Sequence, residues 1–241
     1  MYASCTAIVA AAGESSRFGG EPKLFADLHG KPVLAHTLQA LQNSENIGNI
    51  VIATQREFIP QVYELCKQFR LGKVTSVVRG GRNRLETVKL ALREIDEAST
   101  TLVAVHDGAR PLTRLSDIDA VITQAATYGA AILAVPLKDT VKEMSDGLVK
   151  HTLQRAKLVA VQTPQVFDLF VLREALNKAT LEDLIITDDS TAVERLGVPV
   201  HIVTGSHDNI KITTPEDLVI AASLLLCRDD CPRSSARRTH V

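Results

Sequence analysis

His106-Asp107-Gly108-Ala109-Arg110-Pro111 closes an apolar run, Leu102 to Val105, of strand length. A carboxylate at the carboxyl end of a buried strand sits where open α/β sheets bind ligands. Magnesium takes one or two protein carboxylates together with substrate phosphate and water, so Asp107 is a candidate Mg²⁺ ligand. Arg110, three residues on, can grip an anion through its planar fork. The alternative is a helix-capping aspartate beside a surface arginine. A second carboxylate and another cation occur in His207-Asp208-Asn209-Ile210-Lys211, just before Thr214-Pro215-Glu216-Asp217. Asp208 could share the metal and Lys211 could meet a phosphate, although Thr-Pro-Glu-Asp is also an ordinary helix start.

Ala10-Ala11-Ala12-Gly13-Glu14-Ser15-Ser16-Arg17 follows the first apolar run, and Lys23 comes soon after. Small residues let a ligand approach the backbone, whose amides can face phosphate oxygens, while Arg17 and Lys23 supply positive charge to a polyphosphate. A plain strand-to-helix turn has the same spacing. Gly80-Gly81-Arg82-Asn83-Arg84-Leu85-Glu86-Thr87 has the composition of a base or ribose platform, or of a turn with an N-terminal cap. Thr140 and Arg155 could hold a second phosphate or be solvated strand residues. No GxxxxGK[ST] is present, which removes the P-loop, and no GxGxxG follows the first strand, so a dinucleotide-binding fold loses its main support.

The elements that must position these residues are legible in outline. Strand-length apolar runs lie at Cys5 to Ala12, Ile50 to Ala53, Val74 to Val78, Leu102 to Val105, Ala130 to Val135 and Val200 to Val203. Several are continuous, as in parallel strands buried on both faces. Helical periods separate them, for example Val33, Leu34, Leu38, Leu41 and Ile118, Val121, Ile122, Ala125. This βαβ alternation predicts an α/β fold with one mostly parallel sheet between helical layers. Further helical patterns run from Phe167 to Leu176, from Asp189 to Leu196 and from Pro215 to Leu226. The stretch from Pro136 to Thr163 breaks the rhythm: short β-like runs flank Asp146-Gly147, which reads as a hairpin. An isolated hairpin is marginal in water, so this one needs a surface, and a partner subunit could supply it.

With 241 residues and 45% hydrophobic composition, a single domain to residue 227 can bury one core, and the polar, basic tail 228–241 reads as disordered. Lys+Arg 27 against Asp+Glu 28 leaves a net charge of -1 and no field to draw the chain to nucleic acid or an anionic membrane. No apolar run approaches the ~20 residues of a membrane span and no leader pattern opens the chain, so a soluble, cytoplasmic protein is expected. The four cysteines, Cys5, Cys66, Cys227 and Cys231, have no zinc-site spacing and read as free thiols.

Taken in order, AAAGESSRF with PK, VHDGARP, PLKDTVK, QTPQVF, TDDSTAVERLG and HDNIKITTPEDL resemble the 2-C-methyl-D-erythritol 4-phosphate cytidylyltransferase family, from about Ala7 to about Ala222. The resemblance implies a three-layer α/β/α fold with a Rossmann-like sheet of the nucleotide-diphospho-sugar transferase type and a protruding hairpin arm. It implies a CTP-dependent enzyme in which the acceptor phosphate attacks the α-phosphorus and pyrophosphate leaves. Mg²⁺ would be shared by Asp107, Asp208 and the nucleotide, with Arg17, Lys23 and Lys211 stabilising phosphate charge. Ala11, Ala12, Gly13, Gly81 and Thr87 match cytidine-binding positions; Arg110, Thr140, Arg155 and Thr163 match the acceptor site. Thr140 and Arg155 would lie on an arm exchanged within a homodimer. Ala10, Ser15 and Arg82 depart from the family pattern and bear on the nucleotide contacts. Two other readings stay open: a ribitol-5-phosphate cytidylyltransferase, sharing the nucleotide half, and a nucleotide-binding regulator without catalysis, which has no need of Lys23, Asp107, Asp208 and Lys211 together.

Overall fold

The structure is a computed structural model that describes residues 4–13, 18, 22–184 and 186–230, the last two as backbone. Strand β1 (Cys5–Ala11) is a continuous apolar run buried along nearly its whole length. The short ribbon of β2 (Asp27–Leu28) and β3 (Lys31–Pro32) follows it, and β1 itself lies between β4 (Ile47–Thr54) and β6 (Leu102–Asp107), parallel to both. A central strand flanked on both sides and covered on both faces has no polar face to show, hence its unbroken hydrophobicity. Outward from β4 comes β5 (Val74–Arg79), also parallel. Among the described residues seven strands form the main sheet, in the order β11-β7-β10-β6-β1-β4-β5, with β7 at Ala130–Pro136, β10 at Val159–Asp168 and β11 at His201–Thr204.

The six strands read from the sequence all form. The strand β10 was not among them, because the segment to Thr163 read as hairpin and the residues from Phe167 as helix. It runs antiparallel between β6 and β7. Pro164, which cannot donate to a ladder, sits where the register with β7 shifts, between Val161 and Gln165. A proline inside a short, mixed run is a poor strand signal, and only pairing on both sides makes it a central strand.

Helices α1 (Val33–Gln42), α2 (Ile59–Gln68) and α4 (Leu115–Tyr128) cover one face of the sheet, burying Leu34, Leu38, Val62, Leu65, Ile118 and Val121 against it. On the other face α3 (Arg84–Leu92), α5 (Leu169–Leu181) and α6 (Asp189–Arg195) bury Val88, Leu92, Leu172, Leu176 and Val193. Each such side chain contributes about 1.5–3 kcal/mol relative to exposure, so two apolar clusters hold the three layers together. The helix starts follow local chemistry. Asn83, Asp168 and Asp188 each accept a bond from a first-turn amide. Gly129, in the left-handed region with φ 85°, ends α4.

The hairpin also forms, as β8 (Lys142–Ser145) and β9 (Leu148–Thr152) around Asp146 and Gly147, both at positive φ as a two-residue turn demands. A last helix, α7 (Pro215–Asp230), runs past the boundary expected at residue 227 and packs Ala221 against Phe18, Leu28 and Ile212. Residues 231–241, the rest of the expected tail, and Cys231 lie outside the described residues. Among the described residues no helix is long and apolar enough to cross a membrane.

Candidate active site

Strand order reverses beside β1, where the chain moves out through β4 and β5 and then returns to place β6 on the other side. The carboxyl ends of β1 and β6 therefore flank the crevice where such sheets bind ligands. Ala10 and Asp107 are register partners across it.

A cleft of about 590 Å³ opens there. Ala11, Ala12 and Gly13 line one side and Gly81, Asn83, Arg84 and Thr87 the other, with Lys23, Asp107 and Lys211 over the strand ends. Of the candidates from the sequence, Lys23, Lys211, Ala11, Ala12, Gly13, Gly81, Thr87 and Asp107 thus meet at one cleft. Gly80 shapes it: a Cβ there would stand 2.2 Å from that of Ala12, so the loop after β5 can close on the loop after β1 only with glycine. Thr87 proves to be largely occupied by the turn itself, accepting from the Gly81 amide at 3.0 Å and donating to the Asn83 carbonyl at 2.8 Å. Arg82, the departure noted above, lines the cleft and pairs with Glu86 at 3.2 Å. Arg17 and Ser15 lie outside the described residues.

A second cleft, of about 390 Å³, adjoins the first and shares Arg84, Asp107, Thr187 and Lys211 with it. Arg110 and Thr163 line this second cleft. Thr140 and Arg155 line neither within this chain: both are exposed on the arm, and Arg155 donates to the carbonyl of Lys138.

Asp107 is the electrostatic centre of the shared wall. It is 5% exposed, and its carboxylate meets Arg84 at 2.7 Å, Lys211 at 3.0 Å and Arg110 at 3.2 Å. Burial pushes its pKa up, but Arg84, Lys211 and Arg110 outweigh that and hold it well below the usual carboxylate range. Three cations against two carboxylates, Asp107 and the Asp189 that Arg84 also binds, leave surplus positive charge for a polyanion.

Asp208 is placed differently from the expectation of two carboxylates on one ion. It lines neither cleft; Arg114 donates to its carboxylate, and Arg228 from α7 stands 3.7 Å away. Its loop nevertheless wraps the site, because Arg110 donates to the Asn209 carbonyl at 2.6 Å and Lys211 reaches Asp107. A hard cation takes one or two carboxylates with substrate phosphate and water: Asp107 is the one carboxylate lining both clefts, and Asp208 would have to leave Arg114 to join it.

A buried chain of hydrogen bonds fixes these loops. The Asp107 amide donates to the Thr163 hydroxyl at 3.0 Å, and that hydroxyl lies 2.9 Å from His106 Nδ1. His106 Nε2 is 3.3 Å from the hydroxyl of Thr113, which donates to Asn209 Oδ1 at 2.8 Å. Asn209 in turn donates to the Thr163 carbonyl at 3.0 Å. With the Thr113 proton spent on Asn209, the ring proton belongs on Nε2, and Nδ1 accepts from Thr163. Burial drives the His106 pKa down to about 3, keeping the ring neutral. Thr163, matched above to acceptor binding, thus spends its hydroxyl on the scaffold.

Residues that gave little signal in the sequence are Arg84, Thr187 and Asp189. Arg84 bridges Asp107 and the fully buried Asp189, the first residue of α6. The acidic pair in TDDSTAVERLG was visible as a motif, but 105 residues separate Arg84 from Asp189, and no local spacing announces such a bond.

Comparison with known proteins places this arrangement. The family model described as 2-C-methyl-D-erythritol 4-phosphate cytidylyltransferase matches residues 5–226. A protein of that name from Dehalococcoides mccartyi is 44% identical over 220 residues, covering 91% of this chain and 95% of its own. Another, from Halalkalibacterium halodurans, is 41% identical over 219 residues, covering 90% and 95%. Among solved structures, the 4-diphosphocytidyl-2C-methyl-D-erythritol synthase from Anaerococcus prevotii superposes with a TM-score of 0.83 at 28% identity, covering 93% of this chain and 96% of that one. The enzyme from Thermus thermophilus gives 0.76 at 30% identity, covering 91% and 98%. A nucleotidyltransferase-type sheet with its cations and carboxylate at the switch point, and relatives of this identity along nearly the whole chain, lead to one conclusion: the chain belongs to the 2-C-methyl-D-erythritol 4-phosphate cytidylyltransferase family.

Proposed function

We propose that this enzyme transfers CMP from CTP to 2-C-methyl-D-erythritol 4-phosphate, giving 4-diphosphocytidyl-2-C-methyl-D-erythritol and pyrophosphate, with the nucleotide in the larger cleft and the acceptor phosphate in the smaller. The observation that carries the placement is the shared wall: Arg84, Asp107, Thr187 and Lys211 face both clefts, so a bond can be exchanged between their occupants there. An oxygen of the acceptor phosphate forms the new bond to the α-phosphorus. The bridging bond to the β-phosphate breaks, and its electron pair leaves with pyrophosphate. Such a transfer needs positioning and charge stabilisation rather than a protein nucleophile.

Lys23 and Lys211, joined by Arg17, hold the triphosphate. The small side chains of Ala11, Ala12, Gly13 and Gly81 let backbone amides approach the cytidine. Asp107 would hold Mg²⁺, with Asp208 joining on release from Arg114; the ion neutralises charge on the phosphates. Arg110 faces the acceptor phosphate.

The arm makes the active unit a symmetric homodimer. Leu148 is 74% exposed, Met144 66% and Val149 65%. Apolar groups on a protruding two-stranded hairpin call for a partner surface. Thr140 and Arg155 complete the acceptor site of the other subunit, which accounts for their distance from the clefts of their own chain. A nucleoside triphosphate as substrate agrees with the cytoplasm as compartment, and the balanced charge agrees with small-molecule rather than nucleic-acid or membrane partners.

The test follows pyrophosphate release with Mg²⁺, each nucleoside triphosphate, and either 2-C-methyl-D-erythritol 4-phosphate or ribitol 5-phosphate. CTP with the methylerythritol phosphate should be turned over fastest. Equal rates with UTP, or a preference for ribitol 5-phosphate, would contradict the assignment.

A further inference from the structure

Arg84, the first residue of α3, carries a guanidinium that lines both clefts and is 20% exposed. Its Nε and one terminal nitrogen donate to a single oxygen of Asp189, at 3.0 and 2.8 Å, and the other terminal nitrogen donates to Asp107 at 2.7 Å. A guanidinium has five N–H donors, so among the described residues two remain uncommitted, one on each terminal nitrogen, on the wall the clefts share.

A tether between helices does not explain this arrangement. The start of α6 is already secured: Asp188 accepts from the Thr191 amide at 3.1 Å, and Gln165 Oε1 accepts from the amides of Asp189 and Ser190 at 3.1 and 3.0 Å. Asp107 already has Lys211 and Arg110. Asp189, moreover, is wholly buried with its Oδ1 lacking any partner among the described residues, a costly way to add one more link. What Asp189 does achieve is orientation, because a side-on pair fixes the plane of the guanidinium and aims the two spare donors.

We infer that Arg84 is a phosphate-stabilising catalytic residue of this transferase, donating to the α-phosphate as it passes between the clefts, and that Asp189 is the positioning residue that aims it. The inference rests on the placement of CTP and acceptor in the two clefts. Arg84 transfers no proton; it strengthens hydrogen bonds to the phosphoryl oxygens as the acceptor–phosphorus bond forms and the bond to the leaving pyrophosphate breaks. A lysine cannot substitute, since a point ammonium cannot bond two carboxylates and keep two aimed donors.

The test compares wild type with Arg84→Lys, Arg84→Ala and Asp189→Asn. Arg84→Lys should melt at a lower temperature, because Asp189 or Asp107 loses its guanidinium, but stay folded at the assay temperature, and lose about 10²-fold in kcat, the scale of one transition-state donor, with little change in KM for CTP. Guanidinium ion at non-denaturing concentration should restore part of the Arg84→Ala rate, and methylammonium should not. Asp189→Asn should lower kcat without added guanidinium restoring it. In a second arm, inorganic pyrophosphate should raise the melting temperature of wild type and Arg84→Lys alike, because the spare donors serve the transferring phosphate rather than the leaving one. Wild-type kcat in Arg84→Lys, or losses that follow the folded fraction with no rescue, would overturn the inference. A wild-type protein that releases no pyrophosphate would instead defeat the functional assignment; a smaller pyrophosphate shift in Arg84→Lys would then place Arg84 on the leaving group and overturn the inference separately.

Discussion

Asp107 shows how one carboxylate can serve a reaction among polyanions. Alone in a buried wall it would repel phosphate and resist ionisation; ringed by Arg84, Arg110 and Lys211 it stays charged while the wall as a whole stays positive. Asp208 has an arginine of its own, and this leads to a prediction about metal use. If Arg114 competes with Mg²⁺ for the Asp208 carboxylate, Asp208→Asn should raise the Mg²⁺ concentration giving half-maximal rate, and Arg114→Ala should lower it. Asp107→Asn should nearly abolish turnover at any Mg²⁺ concentration, by about 10²-fold or more. Titrating Mg²⁺ against the three variants checks this: an unchanged requirement in both Asp208→Asn and Arg114→Ala would leave Asp208 as a salt-bridge partner alone.

Between elements, the hydrogen-bonded chain through His106 joins the end of β6, the kinked middle of β10 and the loop that presents Lys211. Its order depends on a neutral ring, which ties stability to pH. The folded-state pKa, about 3, lies below the ordinary histidine value near 6.5, so between these the unfolded chain binds a proton that the native protein does not. Stability is therefore present above pH 6.5 and lost as pH falls, by about 1.4 kcal/mol per pH unit if the group acts alone. Denaturant unfolding from pH 7 to 4.5 should show a steeper loss for wild type than for His106→Asn. The half-buried His36, also depressed by burial, is common to both proteins and cancels. Parallel pH profiles for the two would mean that burial does not hold the His106 ring neutral.

At the scale of the molecule, the arm stands apart from the main sheet: among the described residues β8 and β9 pair only with each other. If it completes the neighbouring subunit's acceptor site, lesions on opposite sides of that boundary should complement. Arg155→Ala and Lys23→Ala homodimers should each be inactive. A mixed dimer then has one site carrying both lesions and one carrying neither, so up to half of wild-type activity per mixed dimer should return after subunit exchange. Mixed dimers confirmed by mass that remain inactive would place Arg155 in its own subunit's site.

What the sequence determined by itself is what local chemistry can encode. Continuous apolar runs announced six strands, apolar periods between them announced helices, Asp146-Gly147 announced a two-residue turn, and Lys23, Gly81, Asp107 and Lys211 stood near strand ends where a parallel sheet gathers them. What only the tertiary structure decided depends on partners far apart in the chain. β10 is a strand because β6 and β7 pair with it despite Pro164. Thr163 belongs to the scaffold because His106 and the Asp107 amide reach its hydroxyl. Asp208 turns to Arg114, and Arg84 finds Asp189 across the sheet's end. A side chain's type limits what it can bond, but which partner it meets is set by long-range packing, which local sequence patterns do not reveal.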